Sequence, residues 1–382
     1  MKSIPLAWTP TAGWNFATGE VERADLVLYF GSTSALTTSP SPVAALVARF
    51  PDALVVGCST AGEILGATVR DDSVAALAVS FSHTRVRAES IVVESATESF
   101  SAAVELGRRV AAPDLRHVLV LSDGLVVNGT ALSEGFCSAL PENISVTGGL
   151  AGDGANFRRT LVGLGADLAP NRIVVIGFYG EKLQVRYGSA GGWSAFGPRR
   201  LVTESKGNVL RSLDGQPALP LYKRYLGERA AGLPATGLLF PLQLLAHRDA
   251  NDGLVRTILA IDEASQSLTF AGDIPEGAYV RLMKAGGDDL VVGAEEAARH
   301  AAVSAPTDVA GGSFAVLVSC VGRKLVMGQR VEEEVETALA LLGAGTSAAG
   351  FYSYGEICPS GDAHSCELHN QTMTLTVFHE EA

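Results

Sequence analysis

The sequence predicts a mixed α/β (α+β) protein of two closely joined domains, and three observations carry this prediction. Short apolar strands alternate with amphipathic helices along the chain. The order of strand, helix, strand and glycine–acid turn occurs three times. Each turn is followed closely by another strand, which leaves no room for a second crossover helix. A helix between two strands joins parallel neighbours and a short connection joins antiparallel ones, so mixed parallel/antiparallel sheets flanked by helices are expected.

The first unit begins with the strand DLVLYF, residues 25–30. A helix follows, because Ser41 suits its N-cap and Pro42 suits its first position. Its apolar residues have the spacing of one helical face, and they are Val43, Leu46, Val47 and Phe50. The strand ALVVGC then ends in the turn STAGE, ahead of a third strand, VAALAVSF, residues 74–81.

The second and third units repeat this order. HVLVLSDG, GTALSEGFCSAL and SVTGGLAGD form the second strand–helix–strand series, and SFAVLVSC, VEEEVETALALLG and SAAGFYSYGE form the third. TMTLTVF closes the chain as a strand. Because the separation from first strand to turn acid is nearly constant, the sequence predicts internally duplicated strand–helix–strand–turn units.

Three segments divide the chain in this interpretation: an N-terminal segment of residues 1–24, an N-terminal domain of residues 25–214 and a C-terminal domain of residues 215–382. The division falls in LDGQPA, whose residues favour a turn and which is followed by an amphipathic helix. The sequence contains no low-complexity linker there, so the two domains should be closely joined.

Charge and composition narrow the function. The 382 residues include 29 Lys and Arg against 41 Asp and Glu, a net charge of −12, which disfavours nucleic acid as a partner. The start MKSIPLAWTP has no apolar signal core and no apolar stretch is long enough to span a bilayer, so a cytoplasmic protein without membrane insertion is expected. Five scattered cysteines indicate reduced thiols rather than a disulfide framework.

Seven separated segments resemble the signature segments of FIST proteins, in the family's order: VVGCSTAGEI, LSDGL, VTGGLAGDG, GNVLRSLDGQPA, CVGR, GFYSYGEI and LHNQTMTL. The resemblance runs from about residue 25 to the end. It implies FIST N-terminal and C-terminal domains and a sensory ligand-binding module of bacterial signal transduction, with small molecules such as amino acids as ligands. Some stand-alone bacterial members resemble haem-based nitric oxide sensors.

The three glycine–acid turns follow parallel strands, whose carboxyl ends hold ligands in open α/β sheets. Their glycines allow positive φ and close approach of a ligand, their hydroxyls offer hydrogen bonds, and their acids suit an ammonium group. The candidate ligand residues are Ser59, Gly62, Glu63, Gly152, Asp153, Tyr352, Ser353, Tyr354, Gly355 and Glu356. The alternative is that these are strand-end turns whose acids meet arginines or solvent.

Three further candidates come from neighbouring motifs. Arg323 in SCVGRKL suits a bidentate grip on a carboxylate, and with Glu356 it would select a zwitterion. An internal Arg323–Glu356 salt bridge is the equal alternative. His369 and Asn370 in LHNQTM would orient a polar ligand or, equally, bond to the backbone of the last strand.

The cysteines and histidines show whether a metal site or a haem site should be expected. Cys358, His364, Cys366 and His369 are close in sequence, but their spacing matches no common zinc finger, so no metal site is predicted. Haem needs an axial ligand in an apolar pocket. His247 and His300 have apolar neighbours on one side, although a histidine on a surface helix or at a strand end is the commoner explanation for each. No haem or other cofactor is assigned.

Enzyme motifs are mostly absent. GCSTAG lacks the helix that follows a nucleophile elbow, and no phosphate-cradling loop occurs. Only a Cys58 or Cys320 nucleophile beside a spatially near histidine stays open.

The sequence thus favours a sensor that acts through a separate partner, such as a histidine kinase or a diguanylate cyclase or phosphodiesterase. The alternatives are a haem-binding nitric oxide sensor and an interaction scaffold with a cleft filled by its own side chains.

Overall fold

The computed structural model of the chain describes residues 1–16, 23–302, 312–343, 345–360 and 366–381. It confirms a mixed α/β protein with parallel and antiparallel strand pairs. The chain forms three successive units of one topology, and a β-rich insertion interrupts the third.

The first two units follow each other directly. The first contains β1 (Lys2–Thr9), β2 (Gly13–Trp14), β3 (Leu26–Gly31), α1 (Thr33–Leu36), α2 (Pro42–Arg49), β4 (Leu54–Ser59), β5 (Glu63–Leu65), β6 (Thr68–Arg70) and β7 (Val74–Ser80). The second contains β8 (Arg85–Val92), α3 (Ser99–Val110), β9 (Leu115–Ser122), α4 (Gly129–Ala139), β10 (Ser145–Leu150), β11 (Val162–Leu164), β12 (Asp167–Ala169) and β13 (Arg172–Tyr179).

The third unit is divided by the insertion. The insertion contains β15 (Ser194–Lys206), β16 (Val209–Leu213), β17 (Gln216–Pro217), α5 (Ala218–Leu226), β18 (Leu242–Leu245), β19 (Leu254–Arg256), β20 (Ile258–Asp262), β21 (Ser267–Phe270) and β22 (Tyr279–Lys284). The unit itself contains β14 (Leu183–Ala190), α6 (Gly287–Ala302), β23 (Ser313–Cys320), α7 (Val321–Met327), α8 (Val331–Leu342), β24 (Thr346–Ser353), β25 (Gly355–Pro359), β26 (Cys366–His369) and β27 (Met373–Glu380).

The sheets of the three units have the same strand arrangement. The predicted strand–helix–strand segments form parallel pairs at its centre, β3 with β4, β9 with β10 and β23 with β24. The last strand of each unit returns antiparallel beside the first strand of that pair, as the short connection predicts. The unit's opening strand, β1, β8 or β14, pairs with this last strand.

The three units exchange hairpins in a closed cycle. The β5–β6 hairpin of the first unit extends the sheet of the third, β11–β12 of the second extends the first, and β25–β26 of the third extends the second. The sequence analysis did not identify these short hairpins. Because every sheet is completed by a strand pair from another unit, the units are interlocked, and the glycine–acid turns are the segments through which the chain passes between sheets.

The three sheets pack their inner faces into one apolar core, while helices cover outer faces. Phenylalanines from different units meet in this core: Phe30 stacks on Phe351 with ring centroids 5.0 Å apart, and Phe178 lies 4.8 Å from Phe378. Outside, α3 packs on α4 and α6 packs on α8. Their buried faces carry small residues such as Ala103 of α3, which let the helices approach the sheet.

The insertion forms a separate eight-stranded antiparallel arrangement with its own core, which includes Leu219 of α5 and Phe270 of β21. Position 214, where the sequence analysis divides the chain, lies in the turn between β16 and β17. Strand pairs such as β10 with β25 join residues from both sides of that position. Within the described residues, no helix is long and apolar enough to cross a membrane.

Candidate functional site

The three glycine–acid turns, residues 59–63, 150–154 and 352–356, lie against one another, and we call them together the junction. The first and third turns exchange two backbone hydrogen bonds of 2.8 Å. The amide of Gly152 in the second turn donates to the carbonyl of Ser59 at 2.9 Å, and a bond of 3.1 Å joins the third turn to the second. The interlocked hairpins thus bring three distant segments of the sequence to one place.

The junction is packed with its own atoms and does not form the open pocket that the sequence suggests. Six of the ten candidate residues of the turns are at most 3% exposed, namely Ser59, Glu63, Tyr352, Ser353, Tyr354 and Glu356, and the three glycines are buried as well. Asp153 is half-buried. Direct ligand contacts from the buried groups are therefore a wrong expectation, because protein atoms occupy the space that a ligand would need.

The acids of the first and third turns are held in the same way. Glu63 accepts hydrogen bonds from the hydroxyl three residues before it, Thr60 at 2.5 Å, and from the amide and hydroxyl of Ser73 at 3.1 and 2.7 Å. Burial raises the pKa of Glu63 to about 7, although these hydrogen bonds oppose the rise. The carboxyl group ties its turn to Ser73, the residue before β7; it is 2% exposed and has no arginine partner among the described residues.

Glu356 repeats this pattern in the third unit. It accepts hydrogen bonds from Ser353 at 2.5 Å and from the amide and hydroxyl of Thr372, the residue before β27, at 3.2 and 3.1 Å. Burial raises the pKa of Glu356 to about 8, against the effect of the bonds from Ser353 and Thr372. Both acids are thus structural parts of the interlocked fold.

The second unit uses a different acid for this purpose. Asp123, which follows β9, accepts hydrogen bonds from the hydroxyl of Thr160 at 2.6 Å and from the amide of Asn171, the residue before β13, at 3.1 Å. Asp153 instead accepts from the backbone amides of Arg158 and Arg159 in its own loop, at 3.3 and 3.0 Å. The sequence analysis therefore aligned the wrong acid of the second unit with Glu63 and Glu356.

The glycines of the turns are needed for close contact more than for backbone conformation. Only Gly62 among the three has a positive φ, of +145°. A Cβ on Gly152 would lie 2.7 Å from the backbone nitrogen of Ala61, and one on Gly355 would lie 2.9 Å from the side chain of Leu368. The expected close approach is made by the protein's own chain rather than by a ligand.

Arg323 does not pair with Glu356, so both sequence interpretations of that residue need correction. It is fully buried and donates to Glu334 of α8, through Nε at 3.0 Å and Nη2 at 2.6 Å. Tyr352 and Ser319 donate their hydroxyls to the same carboxylate at 2.7 and 3.0 Å. A buried arginine already saturated by a carboxylate cannot grip a ligand carboxylate from this position.

A cleft of about 550 Å³ opens beside the junction, between the insertion and the end of the third unit. Its walls come from the end of β14, from β18, β19 and β22 of the insertion, and from the β25–β26 hairpin. Such a volume is in the range of small-molecule sites. His369 is the one candidate residue from the sequence that lines this cleft.

His369 is held as a neutral ring. Its Nε2 lies 2.9 Å from the carbonyl oxygen of Cys358, to which it donates. Burial lowers the pKa of His369, and the nearby charge of Arg256 lowers it further, against the effects of that hydrogen bond and of Glu367. Nδ1 has no hydrogen-bond partner within the described chain and is therefore an acceptor beside the cleft.

Asn370 points away from the cleft. It is fully buried, and its Oδ1 accepts from the amide of Thr257 at 3.4 Å while its Nδ2 donates to the carbonyl of His369 at 3.0 Å. Asn370 therefore bonds to the backbone, as the alternative for this motif expects, but to Thr257 and His369 rather than to the last strand.

The charged groups in the cleft wall are acidic. Asp252 is exposed and Glu367 is half-buried, and no lysine or arginine lies among the described lining residues. Two arginines lie behind the wall: Arg256 is 3% exposed and donates to the carbonyls of Leu368 and Asp273, and Arg281 donates to the lining residue Gln243 at 2.8 Å. The ring of Trp193 completes the lining. An acidic, aromatic wall favours a ligand with a positively charged end.

Three hydrogen bonds connect the cleft floor to the buried side chains of Arg323 and Glu356. Gly191 lines the cleft, and its carbonyl accepts from Nη1 of Arg323. Thr372 also lines the cleft, and its amide and hydroxyl donate to Glu356. A displacement of either floor residue therefore acts directly on a buried side chain, Arg323 or Glu356.

The candidate metal and catalytic groups are dispersed. No set of three histidine, cysteine or acidic side chains in the described ranges is arranged to hold a metal ion, and His364 lies outside those ranges. Cys58 and Cys320 are buried, burial raises the pKa of both thiols, and neither has a hydrogen bond to a histidine in the described structure. His247 and His300 are exposed.

The sequence analysis did not identify several residues of this site. Glu334 could have been found, because it shares the buried face of α8 with Val331, Val335 and Ala338, and an acid on an apolar face needs a partner. Asp252 and Glu367 carry no such signal, since they lie in an insertion loop and in a hairpin that only the fold brings together.

Comparison with known proteins gives two family matches. Residues 25–216 match the family model described as the FIST N domain, and residues 218–359 match the FIST C domain. Among solved structures, a cyanuric acid hydrolase from A. caulinodans matches at 11% identity, over 78% of this chain and 100% of that one, with a TM-score of 0.18, too low to support any inference. No curated protein matches the chain significantly.

Proposed function

The chain belongs to the family that pairs a FIST N domain with a FIST C domain, and from this premise we propose that it is a small-ligand-binding sensory protein of bacterial signal transduction. The observation that carries the proposal is the cleft whose floor residues, Gly191 and Thr372, are hydrogen-bonded to Arg323 and Glu356. A ligand in this cleft acts on buried groups of the third unit, whose turn, residues 352–356, is hydrogen-bonded to the turns of the other two units.

The ligand that suits the cleft is a small molecule with a protonated amine, such as an amino acid. Asp252 and Glu367 attract an ammonium group, and Trp193 offers a ring face to it. Nδ1 of His369 accepts a hydrogen bond from one N–H group of the ligand's ammonium. The hydroxyl of Ser189 in the same wall is buried without a hydrogen-bond partner among the described residues, so a ligand group that reached it would complete an unmade bond.

Signalling then follows from a change in the relative positions of the insertion and the three interlocked units. The cleft lies between these two bodies, so the ligand stabilises the arrangement in which both walls contact it. A separate partner recognises that arrangement, for example a histidine kinase or a diguanylate cyclase or phosphodiesterase in the cytoplasm. The insertion is the element most suited to move, because it has its own core.

We infer binding without chemical conversion of the ligand. The thiols of Cys58 and Cys320 are buried away from the cleft wall and have no histidine as a base within the described chain. His369 is the only imidazole in the described lining, and its Nε2 proton is engaged by the Cys358 carbonyl. A proton-transfer role would require that bond to break.

Haem does not fit these residues. An axial histidine needs an apolar pocket, and the propionates need cations. The described cleft wall instead carries Asp252 and Glu367, with Arg256 buried behind it, and His247 and His300 are exposed on the surface.

An interaction scaffold is the remaining alternative. Its expected mark, a cleft filled by its own side chains, matches the junction but not the cleft.

Isothermal titration calorimetry tests this function. For one amino acid of each side-chain class, three probes are titrated: the amino acid itself, its decarboxylated amine and its N-acetyl derivative. We expect at least one amino acid or amine to bind, and its N-acetyl form, which lacks the ammonium group, to bind at least about tenfold more weakly. Failure of every amine-bearing probe would reject the proposed ligand class.

Two variants locate the binding site. Asp252→Asn and Glu367→Gln remove one negative charge each from the cleft and should weaken binding, whereas Glu276→Gln removes a charge from an exposed insertion loop outside the cleft lining and should not. Equal losses in all three variants would mean that general electrostatic attraction, and not the cleft, produces the binding.

A further inference from the structure

Two cysteines from different units lie side by side. The Sγ atoms of Cys137 on α4 and Cys366 at the start of β26 are 3.6 Å apart. Cys137 is exposed, whereas Cys366 is only 4% exposed and donates to the carbonyl of Ser133. An accessible thiol beside a protected one is the arrangement of an attacking and a resolving cysteine.

We propose that Cys137 and Cys366 are a redox-modification site, at which a hydroperoxide converts the two thiols into a reversible disulfide between α4 and β26. Their sulfur atoms need to approach by only about 1.5 Å to reach bonding distance, which rotation of the exposed Cys137 side chain supplies. The other three cysteines, Cys58, Cys320 and Cys358, are each at most 1% exposed and are not accessible to the oxidant.

The chemistry proceeds in two steps. The thiolate of Cys137 attacks the outer oxygen of a hydroperoxide, the O–O bond breaks, and the leaving alkoxide or hydroxide takes up a proton, so Cys137 becomes a sulfenic acid and the peroxide is reduced to an alcohol or water. The sulfur of Cys366 then attacks the Cys137 sulfur, loses its own proton and displaces hydroxide, which leaves as water. A dithiol restores both thiols by exchange.

The environment of Cys137 favours the first step. The Cys366 thiol lowers the pKa of Cys137 to about 7, mainly because its proton turns from the Ser133 carbonyl to the ionised Cys137 sulfur and donates a hydrogen bond there. A larger fraction of this thiol is therefore ionised at pH 7 than of a thiol with the ordinary pKa of 9.0. The fall of nucleophilicity with pKa offsets part of this gain in reaction rate.

The disulfide would connect directly to one wall of the cleft. Successive side chains of a strand point to opposite faces, so Cys366 and Leu368 face α4 while Glu367 and His369 line the cleft. A bond at Cys366 fixes this hairpin strand to the second unit. That effect on the cleft rests on the proposed function, whereas formation of the disulfide does not.

The test is oxidation of the reduced full chain with hydrogen peroxide, followed by thiol counting and peptide mapping without reductant. We expect the number of free thiols to fall from five to three, with a Cys137–Cys366 peptide that is two hydrogens lighter and disappears with dithiothreitol. Five remaining thiols, a bond between two chains, or conversion of Cys137 to a sulfinic acid without the disulfide would each overturn the proposal.

Two single variants separate the roles. In Cys366→Ser, peroxide should leave Cys137 as a sulfenic acid that a cyclic 1,3-dione traps, whereas in Cys137→Ser no dione adduct and no disulfide should form. Both variants are checked for native circular dichroism first, and the mapped state of Cys58, Cys320 and Cys358 in the native wild-type chain serves as the internal control. Equal trapping in both variants would contradict the assignment. None of these measurements uses the cleft ligand.

Discussion

The guanidinium group of Arg323 and the carboxylate of Glu334 form an ion pair in which both side chains are fully buried. The pair has further partners: Tyr352 and Ser319 donate to Glu334, and Arg323 donates to the carbonyls of Leu290 and Gly191. It therefore joins α8, the ends of β23 and β24, α6 and the cleft floor. A buried pair of this kind is stable only while both charges and their hydrogen bonds are present.

Removal of one charge from this pair should destabilise the fold strongly. Glu334→Gln leaves the Arg323 guanidinium buried without a counter-charge, and we expect the free energy of unfolding to fall by about 3–5 kcal/mol. Urea unfolding followed by circular dichroism measures the change. The exposed pair of Glu295 and Arg299 provides the control, since Glu295→Gln should have an effect below about 1 kcal/mol. A loss no larger than that control would contradict the buried pair.

Stability should decline with rising pH because of Glu356 and Glu63. Burial raises their pKa values to about 8 and about 7, from 4.5, so each binds a proton more tightly in the folded state. Their stabilising contribution is complete below about pH 4.5 and is lost as the pH rises through 7 and 8. Urea unfolding from pH 5 to 9 measures this contribution as the difference in slope between the wild type and a glutamine variant, because His117, His369 and His379, whose pKa values burial lowers, act in the opposite direction below about pH 7.

The variant Glu356→Gln isolates this effect. An amide has the shape of the protonated carboxyl group, accepts from Thr372 and donates to Ser353, so the variant should fold and lose its share of the pH dependence. An unchanged slope in the variant would show that Glu356 is ionised in the folded protein across this range.

A methyl group on Gly152 should separate the turns of the junction. Its Cβ would lie 2.7 Å from the backbone nitrogen of Ala61, which cannot move without breaking the 2.9 Å bond from Gly152 to Ser59. Gly152→Ala should lower the free energy of unfolding by about 1–3 kcal/mol. Gly286→Ala is the matched control, because its Cβ would have only an ordinary 3.5 Å contact. Thermal unfolding of both variants distinguishes crowding from a general effect of replacing glycine.

Ligand binding in the cleft should change the fluorescence of Trp193. The chain has three tryptophans, and Trp8 and Trp14 lie in the first unit, so only Trp193 lines the cleft. Addition of the amine identified by calorimetry should shift or quench emission in the wild type but not in Trp193→Phe, provided that calorimetry shows the variant still binding. Equal changes in both proteins would place the ligand elsewhere.

Much of the site could be located from the sequence, although its role could not. The repeated order of elements, the matching turns and the segment LHNQTM identified residues that the structure brings to the junction and the cleft. Burial reversed the interpretation of most of them, because Glu63, Glu356 and Arg323 are satisfied by side chains of their own unit, such as Ser73 and Glu334, which lie 10 and 11 residues further along the chain than Glu63 and Arg323. Side-chain partners at such separations leave no periodic signal.

The sequence by itself determined the local elements and their repetition, because apolar periodicity, caps and short connections depend on neighbouring residues. It also determined the family, through motifs spread along the chain. Tertiary structure alone decided the cyclic exchange of hairpins, the packing of the three turns and the position of the cleft. The physical reason is that these features arise from strand pairing between units, which depends on backbone hydrogen bonds and complementary surfaces rather than on any local pattern of residues.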